Sequence, residues 1–432
     1  MTDHAETSND RRNAILMIAV SITCAVIGFA FSIFLGRLLG PEGFQKYAVA
    51  IASLTLMGTV CEMGTGKYAM RVIPDFIGRE AWGLAAGYWR FGLLLVLLCS
   101  LLVGAVVISL EYGIDGKLGN HEIGFAVLFL PTTALGAVAA EWVMANRAAI
   151  IGSLIMRGIC PAASFVLVLF IYWNQGSVSP SAAIICFGLG GIVGLISAVF
   201  LFFKTASAEA LAHRTEFQTQ KWFRNCLWYA LIAFLMSWVF KISVIVLDAA
   251  KIDDLEVARF AAAFEVASLV LLIGKSTNKF YQPELALIMG QNNWSRALRL
   301  KQNRTLLIGS ACLAYLGVMF LFGQQILAWF GPEFVDGYAA LCFMSIGTCT
   351  TTFFSMAPEY LKFADKLKTV LGINCLAGIA LIAFTWLLSR NYGATGAGLA
   401  FGLVIPAMSI AFYLIANRHL KREIANHPRS FD

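Results

Sequence analysis

WRFGLLLVLLCSLLVGAVVISL, residues 89–110, carries one charge, Arg90, and then runs for twenty residues without another. At the 1.5 Å rise of an α-helix the stretch measures about 33 Å, enough to cross the roughly 30 Å hydrocarbon core of a bilayer. A surface helix of a soluble protein has an apolar stripe and a polar face, and this run has no polar face. Its solvent is lipid.

Apolar runs of spanning length lie upstream at roughly 14–36 and 44–66, and downstream at roughly 122–145, 155–173 and 182–203. Beyond a polar stretch come six more, at roughly 226–248, 258–280, 305–330, 338–360, 369–389 and 394–416. The composition agrees: 59% of the 432 residues are hydrophobic, 13% are charged and the mean hydropathy is +0.75. Soluble domains are about a quarter charged. The expected fold class is all-α, a polytopic membrane protein of about twelve transmembrane helices.

Residues 1–13 (MTDHAETSNDRRN) are polar, and the apolar run behind Arg12 is too long for the core of a removable leader. It reads as the first membrane helix. With the N-terminus inside, 25 of the 32 lysines and arginines fall on the inner side and six on the outer, Lys241 being the remaining one. Positive loops stay in the cytoplasm, so both termini are expected there, in a multi-pass protein of the cell (inner or plasma) membrane. The net charge of +7 reflects this bias and gives no reason to expect a nucleic-acid partner.

The ten cysteines lie in or at the ends of apolar runs without a CxxC pair, and read as small buried hydrophobes. The five histidines fall in tails and loops without ligand spacing, so no metal and no cofactor is expected. No outside loop is long enough to fold into a catalytic domain.

The stretch 204–225 divides the chain into an N-lobe (14–203) and a C-lobe (226–416), flanked by cytoplasmic tails at 1–13 and 417–432. KYAVAIASLTLMG at 46–58 matches RFAAAFEVASLVL at 259–271 in its basic residue, aromatic and small apolar run. Six spans per half make such repeats parallel, related by an axis along the membrane normal.

The helix junctions carry four ordered phrases: Leu38-Leu39-Gly40-Pro41-Glu42-Gly43-Phe44, Phe280-Tyr281-Gln282-Pro283-Glu284-Leu285-Ala286, Phe330-Gly331-Pro332-Glu333-Phe334 and Asn391-Tyr392-Gly393-Ala394-Thr395-Gly396-Ala397-Gly398. The set resembles the polysaccharide flippases of the multidrug/oligosaccharidyl-lipid/polysaccharide exporter superfamily, with the O-antigen and exopolysaccharide translocases nearest. The resemblance covers essentially the whole chain. It implies two six-helix lobes in a V and transport, without catalysis, of a polyprenyl-(pyro)phosphate-linked oligosaccharide from the cytoplasmic to the outer leaflet. The partners to expect are that lipid-linked oligosaccharide, membrane lipid, a coupling proton or sodium ion, and the glycosyltransferases or polymerase of the same pathway. The first helix has no arginine before Arg37, a departure from the more distantly similar lipid II flippases.

Charge inside a membrane is expensive, which makes Lys241 in WVFKISVIVLD and Glu265 in FAAAFEVASLV functional candidates. They stand at about the same depth on consecutive helices. Two readings stay open: a structural ion pair, or a Lys241 that draws phosphate beside a Glu265 that tunes it or carries the coupling ion. Arg90, Arg157 and Lys275, flanked by apolar residues at inner helix ends, are candidates for a basic vestibule that collects the pyrophosphate head. Arg37, at the outer end of the first helix, belongs either to the exit or to headgroup anchoring. Gly83/Gly87, Gly190/Gly194 and Gly398/Gly402 have the spacing of helix packing. Two other functions compete: a cation-coupled small-molecule or drug antiporter of the same superfamily, and a membrane polysaccharide polymerase or glycosyltransferase.

Overall fold

The computed structural model describes residues 2–113, 121–146, 148–274, 277–278, 294–364 and 366–426, and every element among them is helical. The first half holds α1 (Thr2–Cys61), α2 (Thr65–Gly78), α3 (Trp82–Gly113), α4 (His121–Leu128), α5 (Leu130–Ala145), α6 (Ala149–Leu154), a π turn (Ile155–Ile159), α7 (Cys160–Gln175), α8 (Pro180–Thr205) and α9 (Ala208–Ala212). After it come α10 (Thr219–Ala249), α11 (Asp254–Ser268), α12 (Trp294–Ala328), a 3-10 turn (Pro332–Gly337), α13 (Tyr338–Phe354), α14 (Met356–Phe363) and α15 (Leu367–Asn426).

Among the described residues six helices are long and apolar enough to cross a membrane, or up to eight if each of two bent pairs is one span. The pairs are Glu122–Leu128 with Leu130–Ala145, bent by 47°, and Pro332–Phe354 with Met356–Lys362, bent by 44°. Two of the six are too long for one crossing. Val26–Cys61 has 36 residues and Leu367–Glu423 has 57, about 54 and 86 Å of helix. Each is interrupted by a glycine off the helical path, Gly40 (φ 65°, ψ −179°) and Gly393 (φ 52°, ψ −133°). Residues with a Cβ are nearly excluded from such conformations. Each stretch is therefore two helices joined at a glycine, which matches the paired apolar runs at 14–36 with 44–66 and at 369–389 with 394–416.

Other boundaries follow from local chemistry. Ser179 Oγ accepts the Ala182 N–H at 3.2 Å, and Pro180 occupies the first turn of α8, where its missing donor costs nothing. Pro161 has no N–H to give the carbonyl of residue 157, and the π turn Ile155–Ile159 lies over the interruption.

The chain divides into two compact units, Met1–Lys241 and Ile242–Asp432, and the division falls inside α10. In the first unit, a methyl group on Gly190 of α8 would come within 2.7 Å of the Cys160 carbonyl of α7. In the second, methyls on Gly398 and Gly402 would come within 2.6 Å of Ala340 Cα and 2.8 Å of the Phe343 carbonyl. Both pairs let helix backbones approach closely. Gly83 and Gly87 serve a different neighbour: they make room for the extended backbone at Arg214 and Glu216.

That extended backbone belongs to the polar stretch 204–225, read from the sequence as a linker. It lies on the first unit. The Glu216 N–H donates to the Gly83 carbonyl at 2.9 Å, and Trp222, 1% exposed, sits 5.4 Å from the Tyr88 ring and 5.6 Å from Phe91. A buried tryptophan in an aromatic box ties the start of α10 to α3.

Candidate substrate and coupling site

Glu265 lies half-buried on α11, one turn before the helix tightens at Leu269. The Leu269 N–H turns to the Val266 carbonyl at 3.2 Å, one residue short of an α-helical partner. The Glu265 carbonyl accepts the Ser268 hydroxyl at 2.9 Å, and the Val266 carbonyl accepts the Tyr315 hydroxyl from α12 at 2.7 Å. The helix only tightens here, since Leu269 keeps helical angles (φ −58°, ψ −36°) and the apolar span runs on to Gly274. A carboxylate thus stands inside a membrane-spanning stretch, where charge is expensive.

Lys241, half-buried, is the last residue of the first unit, whereas Glu265 belongs to the second. Arg37 is exposed, three residues before Gly40. Arg90 is exposed, and its Nη1 donates to Thr215 Oγ1 at 3.5 Å. Of the expected vestibule, Lys275 and the side chain of Arg157 lie outside the described residues. Arg90 alone is placed, against the segment that follows α9.

The first unit holds a pair that the sequence did not reveal as a pair. Glu141 of α5 is buried, and its Oε1 meets Lys67 Nζ of α2. Gly66 makes this approach feasible, since a methyl there would come within 2.9 Å of Glu141 Cβ. Glu62, at the end of α1, lies within electrostatic reach of the same lysine. Around Lys67, the exposed faces of α2, α3, the 204–225 stretch and α10 carry Arg71, Arg90, Arg214, Lys221 and Arg224.

In the second unit Arg304, one of the 25 inner-side lysines and arginines of the charge count, is 3% exposed. Its Nη2 donates to Asn278 Oδ1 and to Ser355 Oγ, both at 2.6 Å. At the opposite end, Arg259 donates to Glu256 Oε1 at 2.6 Å and to the Glu333 carbonyl at 2.8 Å, and also meets Asp336. Its counterpart in the sequence repeat, Lys46, pairs with Glu42 at 2.9 Å. Each basic residue meets a carboxylate one turn upstream on its own helix. Two of the four junction phrases meet side chains of α11 and join helix ends: the one at Gly331 through the Glu333 carbonyl and Arg259, the one at Gly393 through the Ala394 N–H and Glu256. The phrase Phe280–Ala286 lies outside the described residues.

No family model matches the chain, and no curated protein matches it. Solved structures do. A multidrug resistance MATE family transporter of the MOP superfamily, in an inward-facing conformation, aligns with a TM-score of 0.75 at 14% identity, over 95% of this chain and 98% of that one. A mutant of the Vibrio cholerae MATE transporter VcmN aligns with a TM-score of 0.67 at 15% identity, over 97% and 98%. A MOP superfamily transporter from Pyrococcus furiosus, described as having a binding pocket of reverse polarity, aligns with a TM-score of 0.66 at 14% identity, over 95% of each chain. At these identities the likeness is one of fold, and it extends over nearly the whole chain: the fold is that of a MATE transporter of the MOP superfamily, with two lobes.

Proposed function

We infer that this chain is an alternating-access transporter that carries a polyprenyl-(pyro)phosphate-linked oligosaccharide from the cytoplasmic to the outer leaflet for surface polysaccharide synthesis. The N-lobe (14–203) and the C-lobe (226–416) are the moving parts, and Lys241 attracts the phosphate on its way. One observation carries this reading beyond the fold: the exposed cations Lys67, Arg71, Arg90, Arg214, Lys221 and Arg224 share one end of the first unit, while Glu141 at that end is buried against Lys67. A cationic mouth suits an anionic head and repels a cationic drug.

A second reading, a cation-coupled drug antiporter, is favoured by Glu265, a carboxylate within the membrane-spanning stretch Asp254–Gly274. Deleting the gene separates the two. Under the flippase reading, lipid-linked oligosaccharide accumulates in the inner leaflet, surface polysaccharide disappears, and Lys241→Ala at normal abundance fails to restore export. Unchanged polysaccharide together with raised drug sensitivity supports the antiporter instead and makes Glu265 the residue to vary.

A further inference from the structure

Glu141 is 7% exposed and spends one carboxylate oxygen on Lys67. Its other oxygen, Oε2, is buried with no hydrogen-bond partner. A buried carboxylate offers about four lone-pair sites, and an unfilled one carries a desolvation cost. A proton on Oε2 removes that cost, and in the same step it removes the charge that holds Lys67.

The lysine is placed to act on its release. Its side chain is 47% exposed. It shares the open face of α2 with Arg71 one turn on, while Thr65, Gly66, Tyr68, Ala69 and Ile73 form the buried face. The Tyr229 hydroxyl stands near the Arg71 guanidinium and favours its charged form without neutralising it. Two cations at i and i+4, one beside a neutral hydroxyl and the other held by a titratable group, match a multiply charged oxyanion.

We propose that Lys67 and Arg71 bind a phosphate or pyrophosphate ester headgroup, and that Glu141 is the counter-ion that competes for Lys67 and yields it on protonation. Other charged groups on the elements around α5 are engaged elsewhere. Arg90 is on Thr215, Lys204 lies 4.4 Å from the Phe200 ring centre, Arg79 is on Asp75, and Glu42 and Lys46 pair just past the Gly40 kink of α1. Glu122 stands at the far end of α4, and the Arg157 side chain lies outside the described residues. Glu62 is the second acid that faces Lys67. A headgroup supplied by a polyprenyl pyrophosphate rests on the flippase reading; one supplied by bulk anionic lipid does not.

The test uses the full-length protein in phosphatidylcholine nanodiscs, titrated with farnesyl pyrophosphate from neutral to mildly acidic pH. Wild-type affinity is expected to rise as pH falls. E141Q should bind about tenfold tighter at neutral pH, a coupling of ordinary size, and keep only the pH dependence of Glu62 and of the ligand's own phosphates. R71Q and the double variant E141Q/K67M should lose binding. A parallel arm counts phosphatidylglycerol retained from mixed nanodiscs by native mass spectrometry. Enrichment there in E141Q, with wild type blind to farnesyl pyrophosphate, keeps the site, assigns it to membrane lipid and removes support from the flippase reading. If folded E141Q and R71Q leave both ligands' affinities and pH profiles at wild-type values, the proposal is overturned, whatever the fate of that reading.

Discussion

Glu256 Oε2 accepts the backbone N–H of Ala394 at 2.7 Å, across 138 residues of chain. Ala394 opens the helix that restarts after Gly393, so its amide is one of the orphan donors of a helix start, and the carboxylate acts as a cap supplied by another helix. The other oxygen of Glu256 holds Arg259, which reaches on to Glu333 and Asp336. One side chain thereby joins three helix ends of the second unit. Glu256→Ala should lower stability by about 1–3 kcal/mol, the cost of leaving polar partners unmade. Chemical denaturation of the purified protein measures this, and an unchanged midpoint would remove Glu256 from the junction.

Gly393→Ala should be at least as damaging. A Cβ there would run into the Glu256 carboxylate, and φ of 52° is strained for any residue that has one. Comparing melting midpoints of Gly393→Ala and Gly372→Ala checks the claim, because Gly372 has open space around its added methyl. Similar losses in both would show that helix propensity alone is being measured.

Trp222 offers a test of how the 204–225 stretch is held. Its ring is buried among Phe76, Tyr88, Phe91 and Phe217. Trp222→Ala should cost about 3–5 kcal/mol, as large aromatic truncations do. Because the ring anchors the segment locally, trypsin should then cut at Arg214 or Lys221 well before it cuts elsewhere. Wild-type resistance at both positions in the variant would mean that the Glu216–Gly83 contact suffices alone.

The fold was legible because bilayer thickness leaves little freedom: a run of about twenty apolar residues has to be a helix with its ends in water. The kinks were legible too, since Gly40-Pro41 and Gly393 break helices by their own covalent structure. The candidate site was legible only as a list of ionisable residues in apolar runs, which is how Lys241 and Glu265 were proposed. Partnerships were not. Lys67 and Glu141 lie 74 positions apart, and nothing in either segment says that Gly66 clears a path between them. Tyr315 is one aromatic among many in its span, and its hydrogen bond to Val266 depends on how α12 crosses α11. Arg304 counted as a loop cation because loop bias is read per segment, whereas burial is decided by packing.

Tyr315→Phe isolates the tightened turn beside Glu265. The substitution keeps the ring and removes only the hydroxyl that the Val266 carbonyl accepts, so the expected cost is about 1 kcal/mol. Faster amide exchange should appear at residues 266–272 and not at the far end of α11. If Glu265 carries a coupling ion, the pH profile of transport should shift as well. Unchanged local exchange would show that the Ser268 hydroxyl and the Leu269 N–H hold this turn without α12.

The Lys67–Glu141 pair predicts an asymmetry that charge counting does not. Removing the lysine strands a buried carboxylate, whereas neutralising the carboxylate strands only a lysine that is 47% exposed and can turn to water. Lys67→Met should therefore cost about 2–4 kcal/mol, discounted from the fully buried case because one partner is wet, while Glu141→Gln should stay within about 1 kcal/mol of wild type. The double variant should recover most of what Lys67→Met loses, since it no longer contains the orphaned charge. A double-mutant cycle by denaturation of the intact protein measures all three. Equal losses in the two single variants would mean that the pair contributes through attraction alone, and that burial of Glu141 carries no penalty for a proton to relieve.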